Sequence, residues 1–295
     1  MRTISTGLAA LLPAVLLAAP AQATSAAPEG RVVAWFADNK GFVPRVPAEV
    51  QSGVSAVASG GGLNLALKGG KVIAWGGDRQ QKPLPVPAEV QSGVSAIAAY
   101  NTNGLALKGG RVIAWNQFDG QLTEVPVEAR SGVSAIAGGT HNAAALRNGR
   151  TVVWGNNVHG HNNVPAEAQS GVTAIAITQQ HALAVKNGGV LAWGNGEEDQ
   201  VPAAATSGVT AVAGGFRYSL ALKGGRVIGW GDQDVRSVPA EARSGVSAIA
   251  ASDYQALALK EGRVIAWGSR YEVPAEAQSG VSAIATGGYV NLALR

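Results

Sequence analysis

The sequence predicts an all-β fold, a seven-bladed β-propeller, because two short signals recur in step along its 295 residues. The period is 35 to 40 residues, a repeat length typical of solenoids and propellers. The first signal is Ser-Gly-Val, with its glycine at Gly53, Gly93, Gly132, Gly171, Gly208, Gly245 and Gly280. The second is a tryptophan, at Trp35, Trp75, Trp115, Trp154, Trp193, Trp230 and Trp267.

Each repeat contains three strand signals in a fixed order. Ser-Gly-Val-Ser-Ala-Ile-Ala predicts a short first strand of small residues. Leu-Ala-Leu-Lys and Arg-Val-Ile-Ala-Trp then flank a Gly-Gly pair, which indicates a β-hairpin because a type I′ turn needs positive φ at both central residues. Val-Pro also recurs and fits a short outer edge strand, where the missing N–H does no harm. The absence of helical periodicity excludes helical solenoids, and radial stacking of such units makes a propeller.

The two ends of the chain predict that the ring closes. Residues Arg31 to Trp35 have the pattern of a third strand, and Asn291 to Arg295 have the pattern of a second strand. We expect the N-terminal strand to complete the last blade, because this pairing removes open sheet edges. The predicted boundaries are a signal peptide at 1–23, a short N-terminal segment at 24–30 and the propeller at 31–295.

The first residues predict export from the cell. Arg2 precedes an apolar run from Leu8 to Ala19, and Ala21-Gln22-Ala23 resembles a signal-peptidase site. A membrane anchor is the rival interpretation, but the run is shorter than the ~20 apolar residues that span a bilayer. We therefore expect a secreted, extracellular protein without a membrane span. The chain has no cysteine, so burial and sheet pairing must stabilise it without disulfides.

The connections between strands divide the predicted propeller into two unlike faces. The Gly-Gly turns and the Pro-Ala-Glu-Ala segments are nearly identical in all repeats, and we call their side the invariant face. The first connection, between the first and second strands, and the third connection, after the third strand, differ from repeat to repeat. We call their side the variable face. Seven unlike loops can form one asymmetric surface, so we expect binding there.

The aromatic residues other than tryptophan fall in these variable connections, as do the four histidines. Tyrosine- and phenylalanine-rich surfaces are typical of binding hot spots, although some rings could instead cover the ends of blades. The predicted partner-binding residues are Phe36, Tyr100, Phe118, His141, Phe216, Tyr218, Asp232, Tyr254, Tyr271 and Tyr289. The tryptophans, fixed at the end of each third strand, are predicted to pack between blades.

Charge also differs between the faces, although the whole chain carries only +4. Lysines and arginines flank the hairpin turns of the invariant face, whereas acidic residues outnumber basic ones in the variable connections. An acidic, aromatic surface suits a protein partner with a basic patch and not a nucleic acid. The basic residues are either solvated turn decoration or a contact for an anionic polymer. We expect a monomer.

No motif for catalysis or cofactor binding is present. The sequence lacks a P-loop, a dinucleotide fingerprint, a Gly-x-Ser-x-Gly elbow and a His-Glu-x-x-His zinc motif. His159 and His161 could hold a metal together with His141 and His181, but their loop supplies no carboxylate. The prediction is a non-enzyme with no cofactor and no metal.

The phrases Ile-Ala-x-Gly, Leu-Ala-Leu and Gly-x-Val-x-x-Trp-Gly resemble the regulator of chromosome condensation repeat, which forms seven-bladed propellers. The resemblance covers nearly all of the mature chain. The fuller phrase from Val-Pro-Ala-Glu-Ala-Gln to Ala-Trp-Gly is similar to secreted bacterial members that inhibit enzymes. This similarity implies an inhibitor of class A β-lactamases that binds through the variable face.

The resemblance to the inhibitors is partial at the residues that contact their targets. Tyr254 and Tyr289 match a recurrent aromatic position three residues before Leu-Ala-Leu, and Asp232 matches a recurrent aspartate. The chain departs from the aromatic position at Gly62, Thr102, Gln180 and Arg217. Binding of another protein or of a cell-wall component, in a structural or developmental role, is therefore the alternative function. An enzymatic or lectin-like site in the central channel is the third.

Overall fold

A computed structural model of the chain describes residues 30–36, 44–76, 81–100, 102–195, 200–231, 237–253, 255–268, 272–288 and 290–295. Among these residues, 22 strands form seven antiparallel sheets, and there is no α-helix. The all-β, seven-bladed prediction is confirmed. The blades are blade 1 with β2 (Val54–Ser59), β3 (Leu63–Lys68), β4 (Lys71–Gly76) and β5 (Lys82–Pro83); blade 2 with β6 (Val94–Tyr100), β7 (Asn103–Lys108) and β8 (Arg111–Asn116); blade 3 with β9 (Val133–Gly138), β10 (Asn142–Arg147) and β11 (Arg150–Gly155); blade 4 with β12 (Val172–Ile177), β13 (His181–Lys186) and β14 (Gly189–Gly194); blade 5 with β15 (Val209–Gly215), β16 (Tyr218–Lys223) and β17 (Arg226–Gly231); blade 6 with β18 (Val246–Ser252), β19 (Gln255–Lys260) and β20 (Arg263–Gly268); and blade 7 with β21 (Ala283–Gly287), β22 (Val290–Leu294) and β1 (Val32–Phe36).

The first strand of each blade lies innermost. β2, β6, β9, β12, β15, β18 and β21 each contact the first strands of both neighbouring blades, which makes a closed ring around the axis. The second strand pairs with the first, and the third strand lies outside it. The small side chains of the Ser-Ala-Ile-Ala phrases therefore occupy the crowded centre.

The N-terminal strand closes the ring, as predicted. β1 pairs antiparallel with β22, with Val32 opposite Leu294 and Phe36 opposite Val290. The carbonyl of Gly30 accepts a hydrogen bond from Val54 N at 3.0 Å. In the other six junctions, the second residue of a hairpin turn accepts the same bond from the valine of the next Ser-Gly-Val phrase. Blade 7, which contains both chain ends, is thus joined to blade 1 by the same backbone hydrogen bond that joins the other neighbouring blades.

The Ser-Gly-Val-Ser phrase performs one structural task in every blade. Its glycines have φ between 67° and 71°, a left-handed conformation that side chains disfavour. The hydroxyl of the next serine or threonine donates to a carbonyl of the second strand, as Ser134 Oγ donates to Leu146 O at 3.2 Å. The equivalent bonds in the other blades are also 3.1 or 3.2 Å long. The phrase recurs because each blade needs this turn and this bond.

The tryptophans pack between blades, which confirms that prediction. Trp115 of β8 lies in the buried cluster of blade 1 with Leu65 and Leu67. Each of the other tryptophans contacts the blade before its own in the same way. A small residue on the second strand makes room for each ring in most blades, and a Cβ at Gly104 would collide with the Trp115 ring.

The Val-Pro phrases do not form edge strands, and that prediction was wrong. Among the described residues, only blade 1 has a fourth strand, β5, which precedes its Val-Pro. Each proline instead starts a 3₁₀ turn, because its fixed φ suits that position. In the first of these turns, Pro47 O accepts from Val50 N at 3.2 Å. The 3₁₀ helices are Ala48–Val50, Ala88–Val90, Val127–Ala129, Ala166–Gln169, Ala203–Ala205, Ala240–Arg243 and Ala275–Ala277.

Candidate functional site

The first and third connections emerge at the same end of the propeller, and this end is the variable face. The first connections begin where the inner strands end, around the axis. The third connections lie further out, because they follow the outer strands. Blades 2 and 3 have third connections that are described throughout, at residues 117–126 and 156–165.

The predicted binding residues differ widely in exposure. Phe118 is 71% exposed, and His141 is also exposed. Phe216, Phe36 and Tyr100 are half-buried, and the last two pack against hydrophobic clusters between blades. The rings of Phe36 and Tyr100 therefore cover the ends of blades, which is the alternative interpretation of the aromatic residues. Four others, Asp232, Tyr254, Tyr271 and Tyr289, lie outside the described residues.

Tyr218 was predicted to contact a partner, and the structure contradicts that prediction. Its side chain is fully buried. The hydroxyl donates to Ser252 O at 2.7 Å and Gln255 O at 2.6 Å, both in blade 6. Burial raises the pKa of this hydroxyl well above its ordinary value. The reason is register: Tyr218 is the first paired residue of β16, whereas exposed Arg217 precedes the strand.

Two loops on the variable face carry exposed apolar side chains. Each loop contains a turn that is stabilised by a hydrogen bond within the loop. In the third connection of blade 2, Asn116 Oδ1 accepts from Phe118 N at 2.8 Å. In blade 3, Asn156 Oδ1 accepts from Val158 N at the same distance, and Val158 is 78% exposed. Such Asx turns fix the backbone locally. The backbone that carries each exposed side chain is therefore ordered before any binding partner arrives.

Val158 was not among the predicted binding residues. Its signal is nevertheless present in the sequence, since Asn156-Asn157-Val158 repeats the Asn-x-apolar pattern of Asn116-Gln117-Phe118. Valine is not aromatic, so the aromatic pattern does not include it. An asparagine at the end of a third strand or directly after it, with an apolar residue two positions later, is the feature that identifies both loops.

Two of the histidines are buried and neutral. His181 Nε2 lies 2.8 Å from Ser219 Oγ, and Nδ1 lies 3.0 Å from Thr178 Oγ1. Burial, together with nearby His161, lowers the pKa of His181 to about 3. Since His181 and Ser219 are both fully enclosed, this hydrogen-bonded pair cannot reach a substrate.

His161 is also buried, and neither ring nitrogen has a hydrogen-bond partner. Burial and neighbouring His159 lower its pKa to about 4. The two rings meet edge-on, with centroids 5.9 Å apart. Within the described ranges, no three histidine or acidic side chains are arranged to hold a metal ion.

A small cavity opens on the axis at the centre of the variable face. Its volume is about 90 Å³, and all seven blades contribute to its wall at the ends of their first strands. Most of the wall is glycine, serine and threonine. Of the described residues that line the cavity, Asp253 in blade 6 is the one that is ionisable. Burial raises the pKa of its carboxyl group, and nearby His141 partly offsets that rise.

The lysines of the invariant face are bound to the backbone. Lys68 Nζ donates to Glu49 O and Lys108 Nζ donates to Glu89 O, both at 2.9 Å. Lysines in blades 4, 5 and 6 make the equivalent bond. These side chains therefore stabilise the 3₁₀ segments, which explains part of the basic decoration.

Solved structures similar to this chain are propellers of the regulator of chromosome condensation (RCC1) type. Prp20p from Saccharomyces cerevisiae matches with a TM-score of 0.70 and 15% identity, over 92% of this chain and 92% of that chain. Yeast RCC1 (Prp20) in a complex with Kap60 matches with 0.68 and 16%, over 100% and 96%. Human WBSCR16 matches with 0.66 and 15%, over 90% and 98%. At such identities the similarity establishes the fold alone.

No protein-family model and no curated protein matches the sequence. Among the described residues, no helix is long and apolar enough to cross a membrane.

Proposed function

We propose that the chain is a secreted, non-catalytic propeller that captures another protein through the variable face. Its first candidate partner is a class A β-lactamase or a related extracellular enzyme. The observation that carries this proposal is the exposed ring of Phe118 on a loop stabilised by its own hydrogen bonds. An apolar side chain in this position gains free energy only when another surface covers it.

The energetics of such a contact favour binding. Burial of ~100 Å² of a phenylalanine ring contributes about 2.5 kcal/mol. The Asx turns at Asn116 and Asn156 already order the loops, so binding loses little further conformational entropy. Phe118 and Val158 thus have the exposure and rigidity of anchor residues.

Two similarities support a protein as partner. Prp20p, which has the same fold, is described with its binding to Gsp1p and histones, and yeast RCC1 is described in a complex with Kap60. The repeated phrases of this sequence resemble those of the bacterial β-lactamase inhibitory protein II, which covers its target enzyme with the variable face. The apolar run at 8–19 and the cleavage pattern at 21–23 suit an extracellular role.

A second candidate function, attachment to an anionic cell-wall component, is favoured by the invariant face. Two cations lie directly opposite each other across the hairpin in five blades, as Lys108 lies opposite Arg111. Directly opposed like charges destabilise a strand pair. A polyanion that bridges them would remove this repulsion.

The proposal is tested by titration of the mature chain, from Thr24 onward, against a panel of class A β-lactamases with a chromogenic substrate. We expect inhibition of at least one enzyme. Phe118→Ala should weaken that inhibition by about fivefold or more, because truncation of an anchor costs more than about 1 kcal/mol. Val158→Ala should weaken it less, since the removed side chain is smaller.

Val127→Ala is the matched control. Val127 is 68% exposed in the same repeat but belongs to the 3₁₀ segment of the invariant face. It should leave inhibition unchanged. Loss of inhibition with Val127→Ala and not with Phe118→Ala would mean that the partner binds the invariant face, which would contradict the proposal. If no enzyme is inhibited, sedimentation with purified cell wall at low and high salt tests the second candidate.

A further inference from the structure

The axial cavity has walls that follow from close packing of the inner strands. A Cβ at Gly138 would collide with Ala99 O, and one at Gly215 would collide with Ser252 O. A Cβ at Gly139 would lie 2.8 Å from Thr178 O. Glycine at these positions allows neighbouring blades to approach backbone to backbone. The wall is consequently rich in peptide groups and poor in apolar side chains.

Three of the hydroxyl groups at the cavity already have hydrogen-bond partners within the protein. Ser252 Oγ lies 3.0 Å from Thr286 Oγ1. Thr178 Oγ1 accepts from the backbone N of His181 at 3.0 Å. At these positions a ligand would meet hydroxyl groups that are already oriented.

Asp253 differs from every other residue of this wall. Among the described residues that line the cavity it is the one ionisable group, and it is half-buried. No hydrogen bond from a described residue reaches its carboxylate, although its backbone carbonyl accepts from Phe216 N at 3.0 Å. Among the described residues, exposed His141 lowers the pKa of this carboxyl group, and burial raises that pKa by more. The carboxylate is thus partly removed from water, and no described residue forms an ion pair with it.

We infer that the axial cavity binds a guanidinium or alkylammonium group, with the Asp253 carboxylate as its counter-ion. The cavity volume of about 90 Å³ equals the share of about three liquid waters, enough for the head of one arginine or lysine side chain. A lone carboxylate among peptide carbonyls suits a monovalent organic cation better than a metal such as Ca²⁺, which takes about six to eight oxygen ligands.

The source of that cation, given the proposed function, is a basic side chain of the partner protein. The cavity lies on the axis of the variable face, where the first connections of all blades converge. A partner that contacts Phe118 and Val158 on the outer loops and extends across the face would also cover the axis. A basic side chain inserted there would form a charge-assisted hydrogen bond in a site shielded from water.

The first experiment measures the site without any partner. N-methylguanidinium and methylammonium are titrated into the ¹⁵N-labelled mature chain while the amide signals of Gly61, Gly139 and Gly215 are followed. Saturable shifts are expected with both cations, and none with neutral N-methylurea. Asp253→Asn should weaken binding by about tenfold or more, because hydrogen bonds to charged groups are the strong ones. Asp119→Asn removes the same charge from an exposed loop of the same face and should leave binding unchanged.

Absence of saturable shifts in the unaltered chain, or equal binding by Asp253→Asn, overturns the inference. Amide spectra of the two variants establish that each is folded. The second experiment repeats the β-lactamase titration with Asp253→Asn and, as its control, Glu128→Gln at an exposed position of the invariant face. Weakening by Asp253→Asn alone assigns the inserted cation to the partner. Inhibition that requires Phe118 but not Asp253 leaves the proposed function standing and overturns the insertion of a partner side chain.

Discussion

The two faces of this propeller are built from the same strands but join the blades by different means. On the invariant face, each junction repeats one bond, from a valine N–H to the carbonyl of the preceding hairpin turn. On the variable face, three junctions each have a different polar contact. His181 reaches Ser219 between blades 4 and 5, Tyr218 reaches Ser252 O between blades 5 and 6, and Ser252 reaches Thr286 between blades 6 and 7.

This difference shows where a repeat protein can diverge. The invariant face needs the same backbone conformation in every blade, and few residues adopt it. The variable face needs only that buried space be filled and buried polar groups be paired, which many residues can do. Divergence there supplies both the unlike junctions and the unlike exposed loops.

Low pH should destabilise the variable face more than the invariant face, because both buried histidines lie at the variable end. This is the largest of the expected differences. Their folded pKa values, about 4 for His161 and about 3 for His181, are below the ordinary 6.5. Their contribution to stability is full above pH 6.5 and is lost as the pH falls toward those values. The loss is up to about 1.4 kcal/mol per pH unit for each histidine.

Urea unfolding at pH 7.5 and pH 5.0 measures this slope. His161→Leu should reduce it, with little loss of stability at pH 7.5, because the His161 ring has no hydrogen-bond partner. His141→Leu, at an exposed position, is the control. Amide exchange at pH 5.0 should rise around His181 before it rises at the hairpin turns. A slope identical in all three proteins would disprove the assignment.

Glycine substitutions should give the next largest effect. Gly215→Ala places a methyl group against Ser252 O and the Tyr218 ring, so we expect a loss of about 3 kcal/mol from overpacking. Gly109→Ala on the invariant face meets no atom within 4 Å, but its φ is 56°. It should cost only about 1 kcal/mol, for the left-handed backbone. Thermal unfolding of both variants tests the order, and equal losses would contradict it.

The smallest expected effects concern the repeated side-chain bonds. Ser134→Ala removes the part-buried bond to Leu146 O and should cost about 1 kcal/mol. Lys108→Met removes the exposed bond to Glu89 O and should cost less than about 0.5 kcal/mol. Urea unfolding compares them. A larger loss with Lys108→Met would mean that the basic residues, and not the inner hydroxyls, hold the invariant face together.

Much of the fold was predictable because repetition amplifies each local signal. A Ser-Gly-Val phrase is ambiguous once, but its sevenfold recurrence with a tryptophan specifies a blade and its order. The Val-Pro phrase was misread as a strand because proline suits both an edge strand and the start of a 3₁₀ turn. The sequence around one proline does not distinguish them.

The site was less predictable, since exposure depends on register and on the neighbouring blade. Phe118 and Tyr218 are both aromatic residues near strand ends, yet one is exposed and the other is enclosed. The difference is whether the residue precedes, begins or follows a paired strand, and a one-residue shift reverses it. The position of Asp253 in a cavity could not be predicted either, because the cavity forms only where all seven blades meet.

The sequence by itself determined the number of blades, their strand order, the closure by the N-terminal strand and the division into two unlike faces. These features follow from local backbone preferences and from repetition, which a linear pattern records. Only the tertiary structure decided which variable residues are exposed, which are buried between blades, and that a single carboxylate lines the axis. Those properties depend on contacts between residues distant in the chain, and the physical cost of burial acts only after the ring has closed.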